Sequence, residues 1–317
     1  IGLGRGAFSV SENGMLAYRT GSGALNQPLW FDRGGKQIGS LGTAGLYFTV
    51  ELSPDEKLAA VNRVDTQTGT HDIWLFDLLR GIPSRFTTDP AGDSNPLWAP
   101  DGSRIVFSSN REGVNNLYQK IASGGGNEEV LLKSSEEKWP DDWSADGKFI
   151  IYQTFNPKTK WDLWLLPMFG NQQPYPFLQT EFNEHQAQFS PDGGWIAYTS
   201  DESGAPEVYV QTLPASGGRW RVSTGGGAQP RWRRDGRELF YIAADSKLMA
   251  VDIKLGTTFE AGVPKALFGT RVLTLTEFRN HYVVNANGQR FLINSTIEET
   301  ETTPISVVVN WTADLKR

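Results

Sequence analysis

The chain contains no cysteine, which excludes disulfide staples, thiolate nucleophiles and cysteine-based zinc sites. Histidine is scarce too, with three residues in 317. Basic charge is not in excess: 30 Lys and Arg face 36 Asp and Glu, for a net charge of −6 and a pI near 5.3. With no arginine- or lysine-rich run either, nucleic acid is not an expected partner. No apolar stretch approaches the roughly 18 residues that a membrane helix requires, and no signal-peptide pattern is present. Membrane insertion by this region is therefore not expected. The chain opens on Ile1 and not on Met, which is compatible with an upstream targeting or membrane segment. Long segments of 3.6-residue periodicity are also wanting. What is plentiful is Gly (34), Phe (17), Trp (11) and Tyr (9), an all-β composition.

One short pattern recurs throughout. "FSPDGGWIAYTSDESG" (189–204), "WAPDGSRIVFSSNREG" (98–113), "WSADGKFIIYQT" (143–154) and "WRRDGRELFYIA" (232–243) share a skeleton, and looser copies begin at 10, 52 and 284. The turn Asp or Asn serves as a ruler: Asn13, Asp55, Asp101, Asp146, Asp192, Asp235 and Asn287, with successive spacings of 42, 46, 45, 46, 43 and 52. Self-similarity at 40–50 residues with several strands per unit is the signature of propeller blades.

Each unit divides the same way. An apolar residue three places before the ruler position (Trp98, Trp143, Phe189, Trp232) ends a first strand. Pro, Asp and Gly then form a tight turn: Pro presets φ, Asp bonds back to nearby backbone, and Gly accepts positive φ. The second strand alternates, as in Ile105/Phe107 and Ile196/Tyr198, the period of a half-buried strand. A third strand follows ("DIWLFD", "DLWLL", "EVYVQ", "ISVVVN"), and a short fourth strand closes the unit. The expected fold is all-β, a seven-bladed β-propeller of four-stranded antiparallel blades. As one domain over 1–317, its blades fall at about 5–42, 47–88, 93–133, 137–179, 184–223, 227–269 and 278–315. The last blade lacks a fourth strand of its own. "IGLGR" at the N-terminus, a three-stranded blade or upstream sequence are the alternatives.

The run "SPDG-x-x-I-A-Y", "D-I-W-L-F-D", "S-R-F-T" resembles the TolB-type propeller repeat over essentially the whole chain. More narrowly, "GAFSVSENGMLAYRTG", "LWFDRGGKQIGSLG" and "TPISVVVNWTADLKR" are similar to the C-terminal propeller of soil-bacterial serine/threonine kinases of the eukaryotic type. That resemblance implies a sensory or binding domain outside the cytoplasm. No kinase motif (Val-Ala-Ile-Lys, His-Arg-Asp, Asp-Phe-Gly) occurs, so kinase activity is not carried over.

Propeller ligands sit on the central channel, and the expected site is the mouth where the first strands begin. Six places before each ruler residue stand Ala7, Thr49, Asn95, Pro140, Gln186, Gln229 and His281; four places before stand Ser9, Glu51, Leu97, Asp142, Gln188, Arg231 and Val283. Period 2 places both sets on one strand face. Thr49, Glu51, Asn95, Asp142, Gln186, Gln229, Arg231 and His281 are thus the candidate ligand-binding residues, for a protein, peptide or small molecule. Glu51, Asp142 and Arg231 would offer opposite charges to one ligand. Glu51, Asp142, Glu184, His185 and His281 are candidate ligands for Ca, Mn or Zn, and a metal-bound water would make the mouth a hydrolase of esters, lactones or phosphoesters. The bland alternative is that a water-filled channel needs a polar lining. His71 is expected in an exposed loop, the repeated turn residues are expected to be structural only, and the sequons at Asn294 and Asn310 are expected chance matches. No Gly-x-Ser-x-Gly elbow is present.

Overall fold

The alternating segments become strands and the Pro-Asp-Gly clusters become the turns between them, in a computed structural model describing residues 8–11, 15–19, 25–215, 217–256, 258–272, 279–297 and 305–309. Where the repeated turn carries serine, it is built the same way. The Ser53 hydroxyl donates to Asp55 (2.7 Å) and accepts Leu58 N–H (2.9 Å), and Ser144 does the same with Asp146 (2.7 Å) and Phe149 N–H (2.9 Å). Gly102, Gly147 and Gly193 stand at φ of 72–74°, the left-handed region where a side chain is costly. The chance reading of the first sequon fits the fold: Asn294 is buried and donates to Tyr47 O at 2.6 Å. Asn310 and Ala7 lie outside the described residues.

The strands run in chain order. β1 (Phe8–Val10), β2 (Met15–Arg19), β3 (Asn26–Asp32) and β4 (Gln37–Ser40) come first. One antiparallel sheet holds β5 (Leu46–Leu52), β6 (Leu58–Val64), β7 (His71–Asp77) and β8 (Pro83–Arg85). The next holds β9 (Asp93–Trp98), β10 (Arg104–Ser109), β11 (Asn116–Ile121) and β12 (Glu129–Leu132). Then come β13 (Lys138–Trp143), β14 (Phe149–Asn156), β15 (Lys160–Pro167) and β16 (Tyr175–Leu178), followed by β17 (Glu184–Phe189), β18 (Trp195–Ser200), β19 (Glu207–Thr212) and β20 (Arg219–Arg221). A five-stranded sheet follows: β21 (Gly227–Trp232), β22 (Glu238–Ala243), β23 (Lys247–Lys254), β24 (Glu260–Ala261) and β25 (Lys265–Gly269). β26 (Tyr282–Val284), β27 (Arg290–Thr296) and β28 (Ile305–Val309) end the chain.

Seven sheets result, as seven turns require, but the first and last units exchange strands. β3 and β4 do not join β2. They extend β26 and β27 into a four-stranded sheet, with Arg290↔Asp32 through Thr296↔Asn26 in register. β28 does not join β27; it pairs with β2, and β1, β2 and β28 form a three-stranded sheet. The strands described within 5–42 and 278–315 therefore each divide between two sheets, and β3 and β4 complete the sheet of β26 and β27; "IGLGR", one of the closures expected for the last blade, lies outside the described residues. The physical reason is ring closure. A chain that winds into a ring must join its ends without a covalent bond, and a shared ladder of backbone hydrogen bonds around buried Leu29, Leu292 and Ile293 does so.

Six first strands neighbour one another in a cycle, β5 to β9, β13, β17, β21, β26 and back to β5. The substantial contacts of β1, β2 and β28 are with one another. The core lies between sheets: Trp98 packs with Ile73 and Leu75 of the preceding sheet, and Trp232 with Val208 and Val210 of its own predecessor.

Candidate functional site

The first strands are not regular. β5, β9, β13, β17 and β21 each carry one extra residue against their second strand, at or next to the ring position six before the ruler (Asp141 in β13). These are β-bulges. Asn95, Gln186 and Gln229 occupy the extra place with φ of 51°, 58° and 59°. A bulge cancels period 2 locally, so the expectation that the two rings share one face does not hold. The residues six before the ruler form a deeper layer, buried in the wall.

There they are engaged. Gln186 Oε1 accepts Gln229 N–H (2.9 Å) from the next sheet, and its Nε2 donates to Arg279 O (2.8 Å). Gln229 Oε1 accepts His281 N–H (2.7 Å), one sheet further on. The same device recurs at every junction of the cycle. Asn62 reaches Asp93 O (2.8 Å), Ser108 reaches Lys138 O (2.7 Å), Asp141 accepts Ala187 N–H (3.0 Å) and Asn294 reaches Tyr47 O (2.6 Å). The polar wall staples sheet to sheet. Thr49 and Asn95 are buried in the same layer.

The four-before ring is different. Glu51, Asp142 and Gln188 line a cavity of about 340 Å³ at the opposite end of the first strands, beside the Pro-Asp-Gly turns. All six sheets of the cycle contribute to it: Trp98, Trp143, Phe189 and Trp232 form its walls, Pro54, Pro100 and Pro191 its rim, and Val283 with Asn285 the remaining side. So the turn prolines are not only structural; they shape a mouth. The turn carboxylates are structural: the Ser53 hydroxyl, then Lys57, hold Asp55 down at about 2.

Arg231, buried, lies under this cavity. Its two terminal nitrogens both bond Glu51, one at 3.2 Å, and the guanidinium also donates to Gln188 Oε1 at 3.2 Å. Burial raises Glu51, and the Arg231 charge opposes that rise. Asp142 accepts Phe189 N–H at 2.8 Å, and burial pushes it up to about 7 against the pull of that bond and of Arg231. Among the described residues it forms no ion pair.

The proposed metal ligands do not converge. Glu184 and His185 open β17 while Gln188, near its other end, lines the cavity about 10–13 Å away by strand rise. Glu184 accepts the Thr180 hydroxyl and is pushed up to about 7, and His185 is pushed down to about 4, in both cases chiefly by burial. Among the described residues no group of three His, Asp or Glu is placed to hold a metal ion. His71 is half-buried against Phe48 (ring centroids 5.1 Å) and not in an open loop; burial, then Arg279, lowers it to about 4.

The aromatic wall was legible only as a packing column. Its signal as a site was positional: residues at one offset from six equivalent turns must stand at one height around the axis.

Comparison with known proteins agrees with the fold. The profile of the TolB beta propeller domain matches residues 36–168. Tricorn protease homolog 1 of Streptomyces coelicolor is 26% identical over 105 residues, which are 32% of this chain and 10% of that protein. The chain thus matches only about a tenth of that relative's length. The TolB structure from Agrobacterium tumefaciens superposes with a TM-score of 0.71 at 17% identity, over 87% of this chain and 100% of that one. An oligogalacturonate lyase in complex with manganese superposes with a TM-score of 0.56 at 15% identity, over 91% of this chain and 82% of that one. The architecture is that of a TolB-like β-propeller. Likeness at these identities speaks for the fold alone, since one fold hosts many functions. No helix among the described residues is long and apolar enough to cross a membrane.

Proposed function

We propose that the protein is a non-catalytic recognition module whose ligand, a peptide segment or small molecule, enters the turn-side cavity. The observation that carries this is the convergence of residues from six sheets on one cavity, in which Trp98, Trp143, Phe189 and Trp232 stand among polar groups such as Glu51, Asp142 and Gln188, at the small end of the range for ligand sites. Glu51 and Asp142, of the residues expected from the sequence, line it; Arg231 bonds Glu51 from beneath, and Thr49, Asn95, Gln186, Gln229 and His281 are proposed to support it from the deeper layer. The resemblance to kinase-linked propellers extends the proposal to a sensory domain outside the cytoplasm.

Ala145 is exposed on the cavity rim, and a large side chain there fills the mouth without entering the core. We expect Ala145→Trp to keep the wild-type melting temperature and to lose stabilisation by any hit from a ligand library. Hits that stabilise both proteins equally place the ligand elsewhere. A panel of phosphotriester, phosphodiester, lactone and carboxyl-ester substrates is expected to stay unhydrolysed. Turnover abolished by EDTA and restored by one divalent metal overturns the proposal in favour of a metal-dependent hydrolase.

A further inference from the structure

Granting that the turn-side cavity is the binding site, we infer that it recognises a protonated amine carried on a short apolar chain. The charges around the cavity decide the sign. Arg231 gives both terminal nitrogens to Glu51 and one of them also to Gln188, so it has little left for an anion. Arg234, at the rim, donates to Pro54 O at 2.6 Å. Glu56, also at the rim, accepts Ala286 N–H and sits 3.9 Å from Arg290. Asp142 is the lining carboxylate that forms no ion pair among the described residues, although the Arg231 charge lies near enough to pull on it. It faces Glu51 of β5 and Arg231 of β21, stands beside Asp141 on its own strand, and is held by the backbone of Phe189 on β17. A ligand cation would give the Asp142 carboxylate the ion pair it lacks among the described residues.

The walls suit the same ligand. Aromatic side chains line the cavity of about 340 Å³, and cation–π attraction acts within ~6 Å of a ring. Trp98, Trp143, Phe189 and Trp232 supply those rings, together with apolar surface for the chain carrying the charge. A neutral apolar ligand would strip water from Asp142 and Glu51 without replacing it, an uncompensated cost. The volume holds about eleven waters at ~30 Å³ each, which suits a lysine side chain or small alkylamine and excludes a folded element.

The test uses tryptophan fluorescence of the full chain, titrated with hexylammonium, hexanol and hexanoate. Two capped peptides, Gly-Gly-Lys-Gly-Gly and its acetyl-lysine counterpart, are titrated alongside. We expect hexylammonium to bind at least tenfold more tightly than hexanol or hexanoate, and more tightly at pH 8 than at pH 5.5, because the ionised Asp142 is the binding form. Asp142→Asn should reduce hexylammonium affinity at least tenfold. Binding of the lysyl peptide, lost on acetylation, identifies a protein segment as the source; binding of hexylammonium alone identifies a free amine. Equal binding of hexanol or hexanoate, an unaffected Asp142→Asn variant, or no amine binding up to about 10 mM overturns the inference. A non-cationic ligand lost in Ala145→Trp would end this inference while leaving the cavity as the site.

Discussion

At the residue scale the same side-chain types do two jobs, and burial separates them. Gln186 and Asp142 both reach a backbone N–H of the next sheet, but Gln186 is fully enclosed while Asp142 borders a cavity. Nothing in a single sequence distinguishes them, because polar residues at neighbouring ring positions are equally suited to either place. The Asp142 carboxyl yields a prediction with a definite sign. Its folded pKa, about 7, stands above the unfolded value, so the folded chain holds the proton more tightly. Stability from this group is present below the unfolded pKa and is lost as pH rises towards 7. Asp142→Asn lacks that loss. The wild-type melting temperature should therefore fall relative to the variant's between about pH 4 and pH 7, by the equivalent of roughly 1–3 kcal/mol. Parallel melting temperatures across that range would mean that Asp142 is solvated like a surface carboxylate.

At the scale of elements, the bulges in five of the six first strands of the cycle set which residues face the channel. The second strands, as at Ile196/Tyr198, were legible as strands because no bulge interrupts them against the third strand, but they are buried on both faces and not half-buried as their alternation suggested. The first strands mislead because the bulge adds a residue that period 2 cannot show. The bulged glutamines hold sheet to sheet, which makes them costly to remove. Gln186→Ala leaves Gln229 N–H without this side-chain acceptor and Arg279 O without this donor, and should destabilise by about 2–4 kcal/mol. Urea unfolding measures this, and a cost under about 0.5 kcal/mol would mean that water replaces both bonds.

For the whole molecule, closure is the decisive event. The ring depends on β3 and β4 joining β27, whereas β28 joins β2 in the terminal sheet. A chain ending at Ile297 should therefore unfold cooperatively near the full-length melting temperature. A chain beginning at Leu46 lacks two strands of the closing sheet and should lose cooperative unfolding. Similar melts for both truncations would show that closure by β3 and β4 is dispensable.

The turn pattern, the spacing of 42–52 residues and the alternation of second strands determined by themselves an all-β propeller with seven sheets, since each is a local property of adjacent residues. Glu51, Asp142 and Arg231 were also visible as charged residues at one offset in the repeat. Only the tertiary structure decided which end of the channel holds a cavity, that Arg231 is already engaged by Glu51, and that the two ends of the chain share a sheet. These depend on strand bulges and on contacts between residues far apart in the chain, where no local periodicity carries the information.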